Sequence, residues 1–291
     1  MKDFNLVYLV YNPNSTGGSQ TIAKEFKKDL GRLRTDCKII LRKTTHAGHG
    51  EELGYKLAQK GPNTLLISVS GDGGYHELIN GVMKAVDEGV KAPICAVLPG
   101  GNANDHYTTI SDRTLFEAVK ANALTKIDLL KVETDKVRYA HSYAGLGLTP
   151  LVAVELNKYK LSAFKETWLA LKTFWKFKPF KIIEDGKKST YDSLIVANIG
   201  VMAKHLTLDS GSSLQDGKFE VLKWPHDHRL KLIKILATAA FGKSQKPESV
   251  KGLSFKTVNK IPMQLDGELM SLGPDQTVKI TCLKQTLRTY R

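Results

Sequence analysis

The chain has only three cysteines, Cys37, Cys95 and Cys282, and their wide spacing makes neither a zinc pattern nor a redox pair. An odd count in apolar surroundings implies reduced thiols and a cytoplasmic setting, and excludes a disulfide scaffold. No run approaches the roughly 18 apolar residues of a membrane-spanning helix. The opening MKDFNLVYLVYNP meets Asn-Pro too soon for a signal sequence and reads as a first strand. G-x-x-x-x-G-K-[ST] does not occur, nor does the first βα turn carry G-x-G-x-x-G, which excludes a P-loop and the usual dinucleotide fingerprint. Low-complexity tracts and fixed-period repeats are missing too. Acidic residues are in deficit, 29 against 43 basic, for a formal charge of +14. That balance favours nucleotide phosphates, nucleic acid or an acidic membrane face as partner. No nucleic-acid-binding module accompanies the charge, so nucleic acid is not expected.

What is present divides the 291 residues into two patterns, and two domains are expected. The first half alternates β-branched runs with helical segments: Leu6 to Tyr11, then Thr21 to Leu30; Lys38 to Leu41, then Glu51 to Gln59; Leu65 to Val69, then Tyr75 to Asp87; then Ile94 to Leu98. This is the rhythm of an α/β domain with a largely parallel sheet. Tyr75, Ile79, Val82 and Val86 share one helical face, which packs that helix back on the sheet. From about Lys126 apolar strands follow one another with few helices: Ile127 to Val132, Tyr139 to Leu146, Ser193 to Ile199, Phe219 to Leu222, Leu253 to Val258 and Val278 to Leu283. An antiparallel second domain is expected there. Asn198 and Asp185 read as strand ends or turns. Two helical stripes interrupt that region. One is Phe164, Trp168, Leu171 and Trp175, flanked by lysines, which suits either a bilayer surface or a helix covering the strands. The other is Leu230, Ile233, Ala237 and Phe241.

The chemistry concentrates where strands end. Ser70-Gly71-Asp72-Gly73-Gly74 follows a strand and opens a helix, so backbone N–H groups can approach an anion without intervening Cβ atoms. Asp72 beside a phosphate would act through Mg²⁺ or its water shell. A plain turn with Asp72 as the helix N-cap explains the same five residues. AVLPGGNAND, Ala96 to Asp105, repeats the arrangement at a neighbouring strand end. VYNPNSTGG, Val10 to Gly18, supplies a third such loop, with Asn12, Ser15 and Thr16 as hydrogen-bonding side chains. Ligands of open α/β sheets bind at these ends. The histidines, His46 and His49 among them, lack a metal spacing and read as surface or polar-cleft residues.

NPNSTGG, SGDGGYHELINGV, PGGNAND and the late LDGE, taken in that order, resemble the motifs of the soluble diacylglycerol kinase catalytic-domain family, which includes bacterial diacylglycerol kinases and sphingosine and ceramide kinases. The likeness spans nearly the whole chain. It implies a Rossmann-like nucleotide-binding α/β domain over residues 1–126, joined by a C-terminal segment from about 272 to 291, and an antiparallel β-sandwich lipid domain over 127–271. It implies ATP and Mg²⁺ as cofactors. By position, Asn12, Thr44, Ser70, Gly71, Asp72, Gly73, Gly74, His76, Glu77, Gly101, Asn102 and Asp105 would bind the nucleotide, with Asp72 and Asp105 organising magnesium and water. Glu268 matches the general base and Asp72 completes the catalytic pair. Asp216, with the carbonyls of Ser213 and Lys218, matches a structural metal site. Where relatives read GGDGT followed by an apolar residue, Asn and Glu, this chain has Ser70 for the first glycine, Gly74 for the threonine and His76 for the asparagine; Asn102 replaces a further threonine.

The function so implied is transfer of the γ-phosphoryl of ATP to a lipid hydroxyl, probed first with diacylglycerol, by an enzyme held peripherally on an anionic membrane. The resemblance also allows a homodimer. A carboxylate with an ordinary pKa of about 4.3 is a weak base, so Glu268 is expected to be buried. Two other readings fit parts of the pattern. NAD kinases share GDG before a β-rich domain, and the altered loops suit a catalytically silent lipid-binding or regulatory protein.

Overall fold

The structure, a computed structural model, describes residues 3–15, 17–102, 104–148, 178–202, 206–207, 213–226 and 247–291. Both helical stripes, and Thr16, lie outside the described residues. The chain forms two compact units, the first of residues 1–129, 214–216 and 283–291, the second of 130–213 and 217–282. It is an α/β protein whose N-terminal domain has parallel strands and helices and whose C-terminal domain is built from antiparallel strands.

In unit 1, β1 (Leu6–Tyr11), α1 (Ser19–Leu33), β2 (Lys38–Lys43), α2 (His49–Ala58), β3 (Thr64–Ser70), α3 (Asp72–Asp87) and β4 (Ile94–Pro99) alternate, followed by α4 (Asp105–Ile110) and α5 (Leu115–Lys120). The strands run parallel in the order β4-β3-β1-β2, with Val7 beside Leu65 and Ile39, and Ile67 beside Ala96. Val7, Leu9, Leu65, Ile67, Val69, Ile94 and Leu98 bury their side chains with Ala23, Phe26 and Leu30 of α1, an i, i+3, i+7 stripe. Leu115, Ala118 and Val119 of α5 close this core. Thr114 and Glu117 start α5 with a reciprocal capping box, each side chain taking the other's backbone N–H at 3.2 and 2.9 Å. On α3, Tyr75, Ile79 and Val82 are buried as their spacing requires, and Val86 is partly buried. α2 and α3 approach so closely that a Cβ on Gly81 would lie 2.6 Å from the Tyr55 nitrogen.

The remaining elements are β5 (Leu124–Glu133), β6 (Val137–Ala140), β7 (Tyr143–Gly147), β8 (Phe180–Glu184), β9 (Lys187–Ala197), β10 (Val201–Met202), β11 (Leu206–Thr207), β12 (Phe219–Pro225), β13 (Glu248–Val250), β14 (Gly252–Thr257), β15 (Ile261–Leu265), β16 (Glu268–Leu272) and β17 (Thr277–Tyr290). In unit 2 the antiparallel order is β16-β15-β7-β9-β8-β14, continued by residues 277–281 of β17, while β12 pairs the far half of β9. The end of β17 returns to unit 1, where Arg288 pairs in parallel with Ile94 of β4. Two Asp-Gly pairs make two-residue hairpin turns with positive φ at both residues: Asp185-Gly186 between β8 and β9, and Asp266-Gly267 between β15 and β16. A left-handed pair matches the twist of the flanking strands, and Asp-Gly tolerates it.

Candidate active site

Three loops of unit 1, following β1, β3 and β4, meet at the C-terminal ends of adjacent parallel strands. The Ser15 hydroxyl donates to the Gly100 carbonyl, and Ser19 donates to the same oxygen at 3.3 Å. The Gly100 N–H donates to the Ser70 carbonyl at 2.9 Å. Gly71 and Gly101 touch backbone to backbone, so that a Cβ on Gly101 would lie 2.8 Å from the Gly71 nitrogen. Asn104, at φ 56°, closes the third loop by exchanging side-chain hydrogen bonds with Gly101, both 3.0 Å. Gly17, Gly71, Gly100 and Gly101 have a packing cause: these loops come too close to leave room for side chains there.

Asp72 is the first residue of α3, whose N-cap is Gly71, and its carboxylate serves another element. Its two oxygens accept the N–H groups of Asp105 and His106 at 3.1 and 3.0 Å. These open the short helix α4, a charge-assisted cap that fixes the third loop to the glycine loop. Asp105 is itself buried. Asp72 and Asp105, 33 residues apart in the chain, meet at this loop junction, and carboxylate oxygen is the donor type that suits a hard cation or its water shell. His76, expected to face a phosphate, is buried in the first turn of α3, and its carbonyl accepts from Asn80 at 2.9 Å. Asn12 and Asn102 are exposed. The Asn12 side chain accepts the N–H of Asn14 at 2.9 Å, a local turn-forming bond.

Ser70 and Gly74 are coupled in space. A Cβ on Gly74 would fall 2.6 Å from both Cβ and Oγ of Ser70, which is buried and bonded to Ser68 Oγ at 2.7 Å and the Gly71 carbonyl at 2.9 Å. The departures from the family's GGDGT are therefore one exchange: a side chain at the first position excludes one at the fifth.

Glu77 has its oxygens engaged as well. They accept the N–H groups of Gly48 and Gly50 at 2.9 Å each, at the start of α2. The positive end of α2 favours that charge. The loop carrying Thr44 is thereby tied to α3, and Thr44 itself donates its N–H to the Tyr11 carbonyl at 2.9 Å.

Glu268 belongs to unit 2. It opens β16 opposite Leu265 and is exposed, so the expected burial is not found: the two-residue turn before it presents it at a hairpin end. The buried carboxylate of LDGE is Asp266, 1 % exposed, which sequence reading did not single out. It accepts the N–H groups of His141, Ser142 and Tyr143 at 2.9, 2.9 and 3.0 Å, and the His141 ring lies 3.4 Å away. Asn198, just past β9, donates to the His141 carbonyl at 3.1 Å. The Asp-Gly dipeptide signalled the turn, but nothing local signalled a partner 125 residues away.

The three residues assigned to a structural metal are all exposed; Asp216 groups with unit 1, Ser213 and Lys218 with unit 2. In unit 1 the turn at Leu214–Asp216 is held by protein groups: Asp128 N–H donates to the Leu214 carbonyl at 2.7 Å, and Gln215 bonds to Thr125 and the Lys126 carbonyl. The Lys218 carbonyl accepts the Cys282 thiol at 3.6 Å. Among the described residues no cluster of three or more His, Cys, Asp or Glu side chains is arranged to hold an ion.

Residues 6–134 match the model of the diacylglycerol kinase catalytic domain. Over that stretch the chain is similar to that family. Over 92 % of this chain and 94 % of its own length, "Putative lipid kinase YtlR" of Bacillus subtilis (strain 168) is 24 % identical. Sphingosine kinase 1 of Rattus norvegicus is 25 % identical over 61 % of this chain and 50 % of its own length. A crystal structure described as a diacylglycerol kinase from Bacillus anthracis str. Sterne shares the fold over 100 % of this chain and 98 % of that one, with a TM-score of 0.73 at 17 % identity. Among the described residues no helix is long and apolar enough to cross a membrane.

Proposed function

We propose that the protein is a lipid kinase that transfers the γ-phosphoryl of ATP to a lipid hydroxyl, with diacylglycerol the first acceptor to test. The observation that carries this reading is the convergence of three glycine-containing loops at adjacent strand ends, locked by Asp72 and by the Gly71–Gly101 contact. Backbone N–H groups of such loops approach phosphate oxygens directly, and in this family's domain the nucleotide is the anion to be held. Phosphoryl transfer asks mainly for positioning and charge neutralisation, which rigid loops provide without reorganising. Mg²⁺, when bound, neutralises charge on the phosphates; Asp72 and Asp105 would hold its water shell. Thr44, on the loop tied down by Glu77, would border the nucleotide. Glu268 would take the proton of the lipid hydroxyl at its carboxylate. Its exposure calls for the lipid itself to exclude water when that proton moves. The formal charge of +14 supports peripheral attachment to an anionic membrane.

The test is a phosphorylation assay offering diacylglycerol and NAD side by side with labelled ATP and Mg²⁺. Labelled lipid supports the proposal, labelled NAD transfers it to NAD kinase, and binding of vesicles without turnover supports a silent lipid-binding protein.

A further inference from the structure

The central strands of unit 2 bury two faces of different character. Cross-strand partners share a face. Met263, Leu146 and Leu194 therefore lie in one row of an aliphatic face. On the opposite face Gln264 aligns with Gly145 and Ile195, beside a row holding Ser193 and Trp224. Gln264 is 3 % exposed, and its side-chain oxygen finds no hydrogen-bond donor among the described residues. A buried amide oxygen left so is costly, and methionine would fill the same space without that cost. Gly145 has no side chain to cover the neighbouring surface. On the other side of Gln264, its partner Leu269 in edge strand β16 is 53 % exposed, one of three large apolar side chains left open on the described surface. An unpartnered amide, flanked by bare backbone and one strand in from an apolar opening, is how a largely apolar pocket places its few polar groups.

We propose that Gln264 is the polar anchor of a lipid site on this face, and that its Oε1 accepts a hydrogen bond from the acceptor lipid. Glu268 pairs with Leu265 and so starts on the aliphatic face, away from Gln264. The donor that Gln264 takes is therefore a second one, distinct from the hydroxyl that reacts. The substrate class follows: lipids with a second O–H besides the reacting hydroxyl, such as monoacylglycerols or ceramides, are preferred over diacylglycerols, which have one hydroxyl only. The identity of the ligand as the acceptor rests on the lipid-kinase reading above.

The test is binding, read by thermal shift and by titration in detergent micelles, of two matched pairs and a reference: 1-oleoylglycerol and its 2-O-methyl ether, N-octanoylsphingosine and its 3-O-methyl ether, and 1,2-dioctanoylglycerol. The native protein should bind the free hydroxyl form of at least one pair roughly ten-fold more tightly than its ether and than dioctanoylglycerol. Gln264→Met and Gln264→Leu should melt no lower than the parent without lipid, and should lose that discrimination. Equal binding within both pairs overturns the proposal, as does binding of none of the five lipids. A stabilised Gln264→Met that keeps the preference also overturns it, because Gln264 would then be an ordinary core defect. Selective binding without phosphoryl transfer to any of these lipids leaves the site standing and removes the kinase reading instead.

Discussion

The exchange of Ser70 and Gly74 is open to a double-mutant cycle. Gly74→Ala alone places a methyl group 2.6 Å from Ser70 Cβ and Oγ, well inside van der Waals contact. Such overpacking typically costs about 1–3 kcal/mol, against which alanine's better helix propensity returns at most about 1 kcal/mol. Ser70→Gly alone removes bonds to Ser68 Oγ and the Gly71 carbonyl, worth about 0.5–1.5 kcal/mol each. In the double mutant the methyl group enters the space that Ser70 has left, so the clash disappears while the lost hydrogen bonds remain. The pair should be less destabilising than the sum of the singles by about 1–3 kcal/mol. Urea titrations of the four proteins, followed by far-ultraviolet circular dichroism, measure that coupling. Nucleotide binding by calorimetry on the same samples should follow the same order, weakest in Gly74→Ala and recovered in the double mutant. Additive stabilities within about 0.5 kcal/mol would refute the reasoning, because the two positions would then not compete for one space.

Other consequences can be checked separately. Glu77→Ala leaves the Gly48 and Gly50 N–H groups without their carboxylate, so unit 1 should lose about 2–4 kcal/mol in the same titration. Asp266→Asn keeps the shape but withdraws charge from three buried N–H groups; about 2–4 kcal/mol should be lost from unit 2, read by the emission of Trp224 within a background lacking Trp168 and Trp175. Burial pushes the Cys95 thiol up to about 12 from an ordinary 9.0. Its ionisation in the native state is thus delayed, so rising pH above about 9 favours the unfolded chain, in which the thiolate forms freely. Alkylation at pH 8 followed by mass spectrometry should find Cys95 unmodified until the protein is denatured.

The α/β rhythm was legible because each segment carries its own signal. β1 spans the residues read from the sequence, and α1 and β2 differ by a few residues at their ends. The helix read as starting at Tyr75 begins at Asp72, since Gly73 and Gly74 are helical once Ser70 fixes the turn before them. Tyr139 to Leu146, read as one strand, is two: Asp266 takes the N–H groups of His141, Ser142 and Tyr143 out of the ladder, and β6 and β7 part there. β15 and β16 were not read as strands, although Asp-Gly between apolar runs is a hairpin signal. The glycine loops were found as anion-binding candidates. That Asp72 caps α4, and Glu77 the start of α2, could not be read, since those partners lie 27 to 34 residues away with no local pattern.

The measurement closest to the central claim is the initial rate of phosphate transfer from labelled ATP, in Mg²⁺, to a total lipid extract, with the labelled product identified, for the native protein and Glu268→Gln. The account predicts a labelled phospholipid whose formation falls about 10²- to 10⁴-fold in Glu268→Gln, with ATP affinity nearly unchanged because the loops around Gly71, Gly73 and Gly101 are untouched. A folded native protein that binds ATP and labels no lipid would contradict it, and a Glu268→Gln enzyme at close to the native rate would remove Glu268 as the base.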